Sequence, residues 1–239
     1  MSFVDNKNKR FGINLYISYT KLFVITMLFS FGVFALNGKV LMTNDGIATW
    51  MTGDIWFANS IKRFFKELFV NHKLYFPQWN LYAGEGSDVF QLYGNVFGDP
   101  LKLVYLFFPE SLYINIYNIM QIVRVYLCGI TFISMCRQFK ENSYCGILAG
   151  AITYAFCGFN ILSISRHPHF ISPLIYFPLL ILGIEKIFKK EKPYIYIISL
   201  VLFFISNVYF SYMIVIATIL YVIVKIIINR YKFNVIYKY

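Results

Sequence analysis

The chain has 239 residues, of which 59% are hydrophobic, 21% aromatic and only 14% charged. A water-soluble domain of that composition would carry more apolar surface than it could bury, so most of the chain is expected to sit in lipid. The formal charge of +11 does not point to nucleic acid, because the lysines and arginines stand in short clusters beside apolar runs rather than on one soluble face.

The first apolar run, Tyr16 to Leu36, is too long for a signal-peptide core and lacks a small-x-small cleavage site. It is read as an uncleaved anchor in a first span over 15–36, behind a cytoplasmic amino terminus at 1–14. Residues 37–110 then form a long outer segment holding most of the acids: Asp45, Asp54, Glu67, Glu85, Asp88, Asp99 and Glu110. Within it, Asp54 to Val70 reads as an amphipathic helix lying in the membrane interface. Its apolar residues Ile55, Trp56, Ala58, Ile61, Phe65, Leu68 and Phe69 oppose Lys62, Arg63, Lys66 and Glu67, with Phe57 and Phe64 off the stripe. Pro77, Gly84, Gly86, Gly94, Gly98 and Pro100 punctuate the following loop. Leu101 to Phe108 is apolar but too short to span, and is expected to dip into the membrane edge.

Further spans are expected at 112–136, 146–164 and 171–188. As one helix, Tyr194 to Ile228 would reach about 50 Å at about 1.5 Å per residue, against a hydrocarbon core of about 30 Å. It is split near Ser206-Asn207 into 194–206 and 210–228, ahead of a cytoplasmic tail at 229–239. Charge agrees with the split, because alternation then puts Lys7, Lys9 and Arg10, Arg137 and Lys140, Lys186 to Lys192, and Lys225, Arg230 and Lys232 all on the cytoplasmic side. The reading is an all-α polytopic membrane protein with about six transmembrane helices. The cysteines Cys128, Cys136, Cys145 and Cys157 show no C-x-x-C spacing and read as packing residues.

Chemistry is expected on the outer face. Asp45, in Thr43-Asn44-Asp45-Gly46 where the first span leaves the bilayer, has a low-dielectric wall on one side and water on the other. That suits a general base; the structural alternative is a helix cap. Asp54 heads the interfacial helix and reads first as an N-terminal cap, with a substrate role as the rival. Asp99 precedes Pro100 and either opens a turn or lines a cleft. Glu85 and Asp88 lie in a glycine-rich loop, as solvated acids or as contacts for acceptor hydroxyls or an optional divalent metal. Arg166-His167-Pro168-His169 could hold a phosphate or anchor to headgroups, and supplies too few ligands to bind a metal by itself. Arg124 lies mid-span with Gln121 one turn earlier, and must find an acid or a water-filled cavity. Asn207 suits either a helix cap or a sugar contact. There is no P-loop or G-x-G-x-x-G element, which argues against a nucleotide-driven pump and against direct use of a cytoplasmic nucleotide sugar.

Thr43 to Gly46, Pro77-Gln78-Trp79-Asn80 followed by Gly84-Glu85-Gly86, and Gly98-Asp99-Pro100 come in the order found in YfhO-type bacterial membrane proteins. Tyr154-Ala155-Phe156-Cys157-Gly158-Phe159, His167-Pro168, Pro178-Leu179-Leu180 with Gly183-Ile184-Glu185, and Ser206 to Phe210 continue the series. The chain resembles that family from its first span to Lys225. The resemblance implies a GT-C-like glycosyltransferase architecture and a polyprenyl-phosphate-linked sugar as donor at the outer leaflet. It also implies a cell-surface polymer such as teichoic or lipoteichoic acid as acceptor, and an acid of the first outer loop as base, the place Asp45 holds. For such a donor, Arg166 and His167 are the favoured phosphate contacts, with His169 beside them as a further substrate-binding candidate. Family members are much longer, so the chain is expected to be an amino-terminal portion, acting with a carboxyl-terminal part or a protein partner. The competing readings are a transporter or flippase of lipid-linked saccharides, with Arg124 on its path, and a non-catalytic assembly subunit.

Overall fold

The computed structural model describes residues 2–36, 46–81, 86–89, 98–139 and 143–229. The chain is helical through most of them: α1 (Ser2–Leu36), a π-helical turn (Gly46–Met51), α2 (Thr52–Val70), α3 (Tyr113–Cys136), α4 (Tyr144–Ala155), α5 (Gly158–Arg166), α6 (Ser172–Phe188), α7 (Tyr194–Ser206) and α8 (Val208–Asn229). The described residues also include 3-10 helices over Pro100–Phe107, Glu110–Leu112 and Pro168–Phe170 and a two-strand hairpin, β1 (Trp79–Asn80) antiparallel to β2 (Ser87–Asp88).

Among the described residues, five stretches are long and apolar enough to cross a membrane: Phe11–Gly32, Glu110–Cys136, Tyr144–Arg166, Pro168–Phe188 and Val208–Ile228. The apolar helix α7, with 13 residues, is only about 20 Å long at about 1.5 Å per residue. α6 is the centre of the bundle: 67% of its apolar window is buried, against 11% in α8 and 17% in α1, whose outer faces are left for lipid. α1 meets the bundle through Leu15, Tyr19, Phe23 and Met27, a one-face stripe spaced by four that packs towards α3 and α4. A Cβ on Gly129 of α3 would collide with the Tyr19 hydroxyl, so the glycine makes the notch that ring fills.

Contacts along α6 give the direction of its neighbours. Gly183 lies against the Tyr196 backbone, where an added Cβ would come to 2.6 Å, and Tyr176 faces Phe203, so α7 runs antiparallel to α6. Phe170 meets Phe210 at 5.2 Å between ring centroids, and Glu185 pairs with Lys225, so α8 runs parallel to α6. α7 and α8 are thus a helical hairpin that reverses at Asn207.

The third span is continuous in the sequence reading but broken in the structure. α4 ends at Ala155 and α5 begins at Gly158, with Cys157 in extended backbone between them. Carbonyls freed by such a break are costly in lipid unless another group bonds them. The buried Asn160 amide donates to both Tyr154 O and Ala155 O, at 3.2 and 3.0 Å. The same economy appears in α6, where Pro178 has no N–H to offer the Leu174 carbonyl. The Tyr154 hydroxyl from α4 donates to it instead, at 2.8 Å.

Candidate functional site

At the end of the bundle where the His167–Phe170 turn lies, four charges are buried together. The geometry begins with the Pro100–Phe107 3-10 helix, whose three-residue repeat stacks side chains at i and i+3 on one face. Asp99, Lys102 and Tyr105 share that spacing, and all three are buried. Asp99 caps the helix, accepting from Leu101 N at 3.0 Å through Oδ1, and Pro100 starts it with a preset φ. Its other oxygen accepts from Arg124 Nη2 at 3.1 Å and Ser172 Oγ at 2.5 Å, while Tyr176 donates to Oδ1 at 3.3 Å. Arg124 in turn donates to Gln121 Oε1 at 3.1 Å, so the one-turn spacing of Gln121 and Arg124 orients the guanidinium.

Lys102 turns the other way, to Asp54 of α2 at 2.5 Å, where Tyr105 also donates at 3.4 Å. Asp54 is therefore an ion-pair partner rather than the expected helix cap. Met51 stands at the N-cap with helical backbone and no side-chain cap, because the π-helical turn runs directly into α2. Burial pushes the Asp99 carboxyl up, but Arg124, the Ser172 hydroxyl, the Leu101 amide and Lys102 outweigh it and hold it below the usual carboxylate range. Burial, followed by the Asp54 charge, pushes the Tyr105 phenol well above its ordinary value, so it stays a donor.

Beside these pairs lies an aromatic and imidazole cluster. Trp50 sits against His169 at 3.9 Å and near His167 at 5.8 Å between ring centroids, with Phe170 closing on both histidines. His169 is within electrostatic reach of Lys102, Arg124 and His167. Among the described residues, Trp50 Nε1, His167 Nδ1, His169 Nδ1, Arg124 Nε and Tyr117 Oη are buried without a hydrogen-bond partner. Each such group costs about 1–3 kcal/mol when unsatisfied, so their concentration at one place suits a polar ligand.

The sequence-predicted residues divide accordingly. Asp54, Asp99, Arg124, His167 and His169 come together. Arg166 is exposed at the end of α5, and Asp88 is exposed opposite Trp79 in the hairpin. Asn207 is buried at the α7–α8 reversal, where its Oδ1 accepts from Phe210 N at 3.1 Å as a helix cap. Asp45 and Glu85 lie outside the described residues; Gly46, next to Asp45, is buried. Among the described residues no group of three or more His, Cys, Asp or Glu side chains stands together as a metal set. Sequence reasoning missed Lys102 and Trp50. The signal for Lys102 was present: a lone cation in an apolar run, at a spacing of three from Asp99 and Tyr105.

A family model described as bacterial membrane protein YfhO matches residues 21–239. No curated protein and no solved structure matches the chain.

Proposed function

The chain belongs to the family of the bacterial membrane protein YfhO, and from that premise we propose that it is a membrane glycosyltransferase. It moves a sugar from a polyprenyl-phosphate donor to a cell-surface polymer such as teichoic or lipoteichoic acid at the outer face. The observation that carries the reading is the set of buried, unpartnered nitrogens on Trp50, His167, His169 and Arg124, beside the Asp99–Arg124 and Asp54–Lys102 pairs.

Asp45 takes the proton of an acceptor hydroxyl, whose oxygen attacks the anomeric carbon. The bond from that carbon to the phosphate oxygen breaks, and polyprenyl phosphate leaves with the electron pair. Charge grows on the phosphate, and donors fixed beforehand in a low-dielectric site stabilise it most. Asp54 and Asp99 offset much of the positive charge of Lys102 and Arg124, so they orient those cations. The N–H groups of Trp50, Arg124 and the imidazoles then supply the directed contacts.

The test is sugar incorporation into surface polymer in a deletion strain complemented with the gene or with Asp45→Asn, at equal membrane expression. Restoration by the gene and at least a 100-fold loss in Asp45→Asn are expected, the range for a lost general base. Full transfer by Asp45→Asn overturns the reading. The break between α4 and α5 favours a second reading, a flippase of lipid-linked saccharide, because interrupted helices line transport paths. That reading requires the deletion to trap the lipid-linked sugar in the inner leaflet, whereas a transferase leaves it accumulated outside.

A further inference from the structure

α2 has two working faces. Asp54, Phe57 and Ala58 are buried on one side of it. Residues 56, 59, 60 and 63 recur at the 3–4 spacing of a single face on the opposite side. With Tyr75 and Trp79 of the following segment, Trp56, Asn59, Ser60 and Arg63 line a cavity of about 260 Å³.

The cavity combines flat aromatic walls with directional polar groups. The Arg63 guanidinium lies 4.4 Å from the centre of the Tyr75 ring, an arrangement that holds its planar fork in place. Trp79 is 58% exposed although it sits in a paired strand. Its position depends on Gly86, which has a φ of 108° and where an added Cβ would stand 2.7 Å from the indole Nε1. Sugar rings have apolar C–H faces and a rim of hydroxyls, so they pair with aromatic rings and with amide, hydroxyl and guanidinium groups. The volume is below the roughly 300–1,000 Å³ of sites for drug-sized ligands and suits a single ring. Arg63 adds a fork that recognises phosphate oxygens.

We propose that this cleft binds an already glycosylated polyol-phosphate unit of the acceptor polymer, its hexose on the aromatic walls and its phosphate at Arg63, as an acceptor subsite on the face of α2 opposite the buried charge cluster. This rests on the glycosyltransferase reading for the name of the polymer, while the binding itself is independent of transfer. Bound as an extended chain, the polymer would be anchored here through this unit.

The experiment is tryptophan fluorescence and calorimetric titration of the detergent-purified protein with glucosylglycerol phosphate, glucose and inorganic phosphate. Saturable binding of glucosylglycerol phosphate, tighter than either glucose or phosphate, is expected. Trp79→Ala and Gly86→Ala should each weaken it at least tenfold, and Arg63→Gln should reduce it to the level of glucose. Trp79 and Arg63 are surface side chains, so those variants keep the fold, which size-exclusion profiles check. Asp45→Asn should bind normally, which separates failure of the cleft from failure of the transfer reading. A glycosylated polyol-phosphate oligomer should displace the probe, and a short-chain polyprenyl phosphohexose should not. Displacement by the polyprenyl compound alone, binding unchanged in Trp79→Ala and Gly86→Ala, or no saturable binding at all would overturn the proposal.

Discussion

Four donors converge on the Asp99 carboxylate, from the 3-10 helix, α3 and two positions on α6. Such a group stitches elements together, and its saturation argues against a role as proton acceptor. Because its folded value is depressed, the pair contributes stability in full above the unfolded carboxylate value of about 3.9 and loses it as pH falls through the lower folded value. Asp99→Asn leaves the Arg124 guanidinium buried without its charge partner and should cost about 3–5 kcal/mol. Replacing both, as Asp99→Asn with Arg124→Met, should recover much of that loss, because the uncompensated charge is gone. Thermal unfolding in detergent checks this. From about pH 8 to pH 5 the Asp99 contribution should be flat, and the steep loss below about pH 4 in the wild type should be shallower in the double variant. Equal melting of the Asp99→Asn and double variants would count against a buried pair. The partnership itself is not legible in the sequence, which shows two polar residues 25 positions apart and no sign that they meet.

Interruptions decide how well the elements can be read from sequence. Apolar runs and their length give the spans, and the length argument alone demands a break within Tyr194 to Ile228. The break between α4 and α5 is hidden, because apolar residues continue through Phe156 and Cys157 and only Asn160 hints at the loose carbonyls. For α2, periodicity finds the helix but not its environment. Phe57 looks off the apolar stripe yet is buried, and Trp56 looks part of it yet lines the outer cleft. The reason is that the 3-10 helix packs on α2, so one face of this helix is claimed by a protein partner that periodicity does not show. Pro178 allows a sharper test of element coupling. Tyr154→Phe removes the hydroxyl that satisfies the Leu174 carbonyl and should cost about 1–3 kcal/mol. In a Pro178→Ala background the restored N–H can bond that carbonyl itself, so the same Tyr154→Phe change should cost only a few tenths. A double-mutant cycle on melting temperature reads the difference. Additive losses would show that the tyrosine does not serve the proline gap.

The ends of the whole molecule differ in chemistry. At one, Lys189 donates to Gln138 O at 2.8 Å, Lys225 pairs with the buried Glu185, and the Arg137 guanidinium packs over the Gly12 turn of α1, so loops far apart in sequence share one basic surface. At the other lie the balanced pairs Asp54–Lys102 and Asp99–Arg124 with the imidazole cluster, and α2 lies over them. The positive-inside rule predicts that the first end faces the cytoplasm, because lysine and arginine in short loops are held back during insertion. On that prediction, the alternating arrangement of α6, α7 and α8 would put the reversal at Asn207 on the outer side, with the buried charges. The exposed Cys145 at the start of α4 is a native reporter for the basic end. In a variant retaining only that cysteine, a membrane-impermeant maleimide should label the protein after permeabilisation and not in intact cells. Lys73→Cys in a cysteine-free background, just past the exposed end of α2, should label in intact cells. Labelling of Cys145 from outside would invert the molecule and put the charge cluster in the cytoplasm. A lipid-phosphate sugar at the outer leaflet could then no longer be its donor.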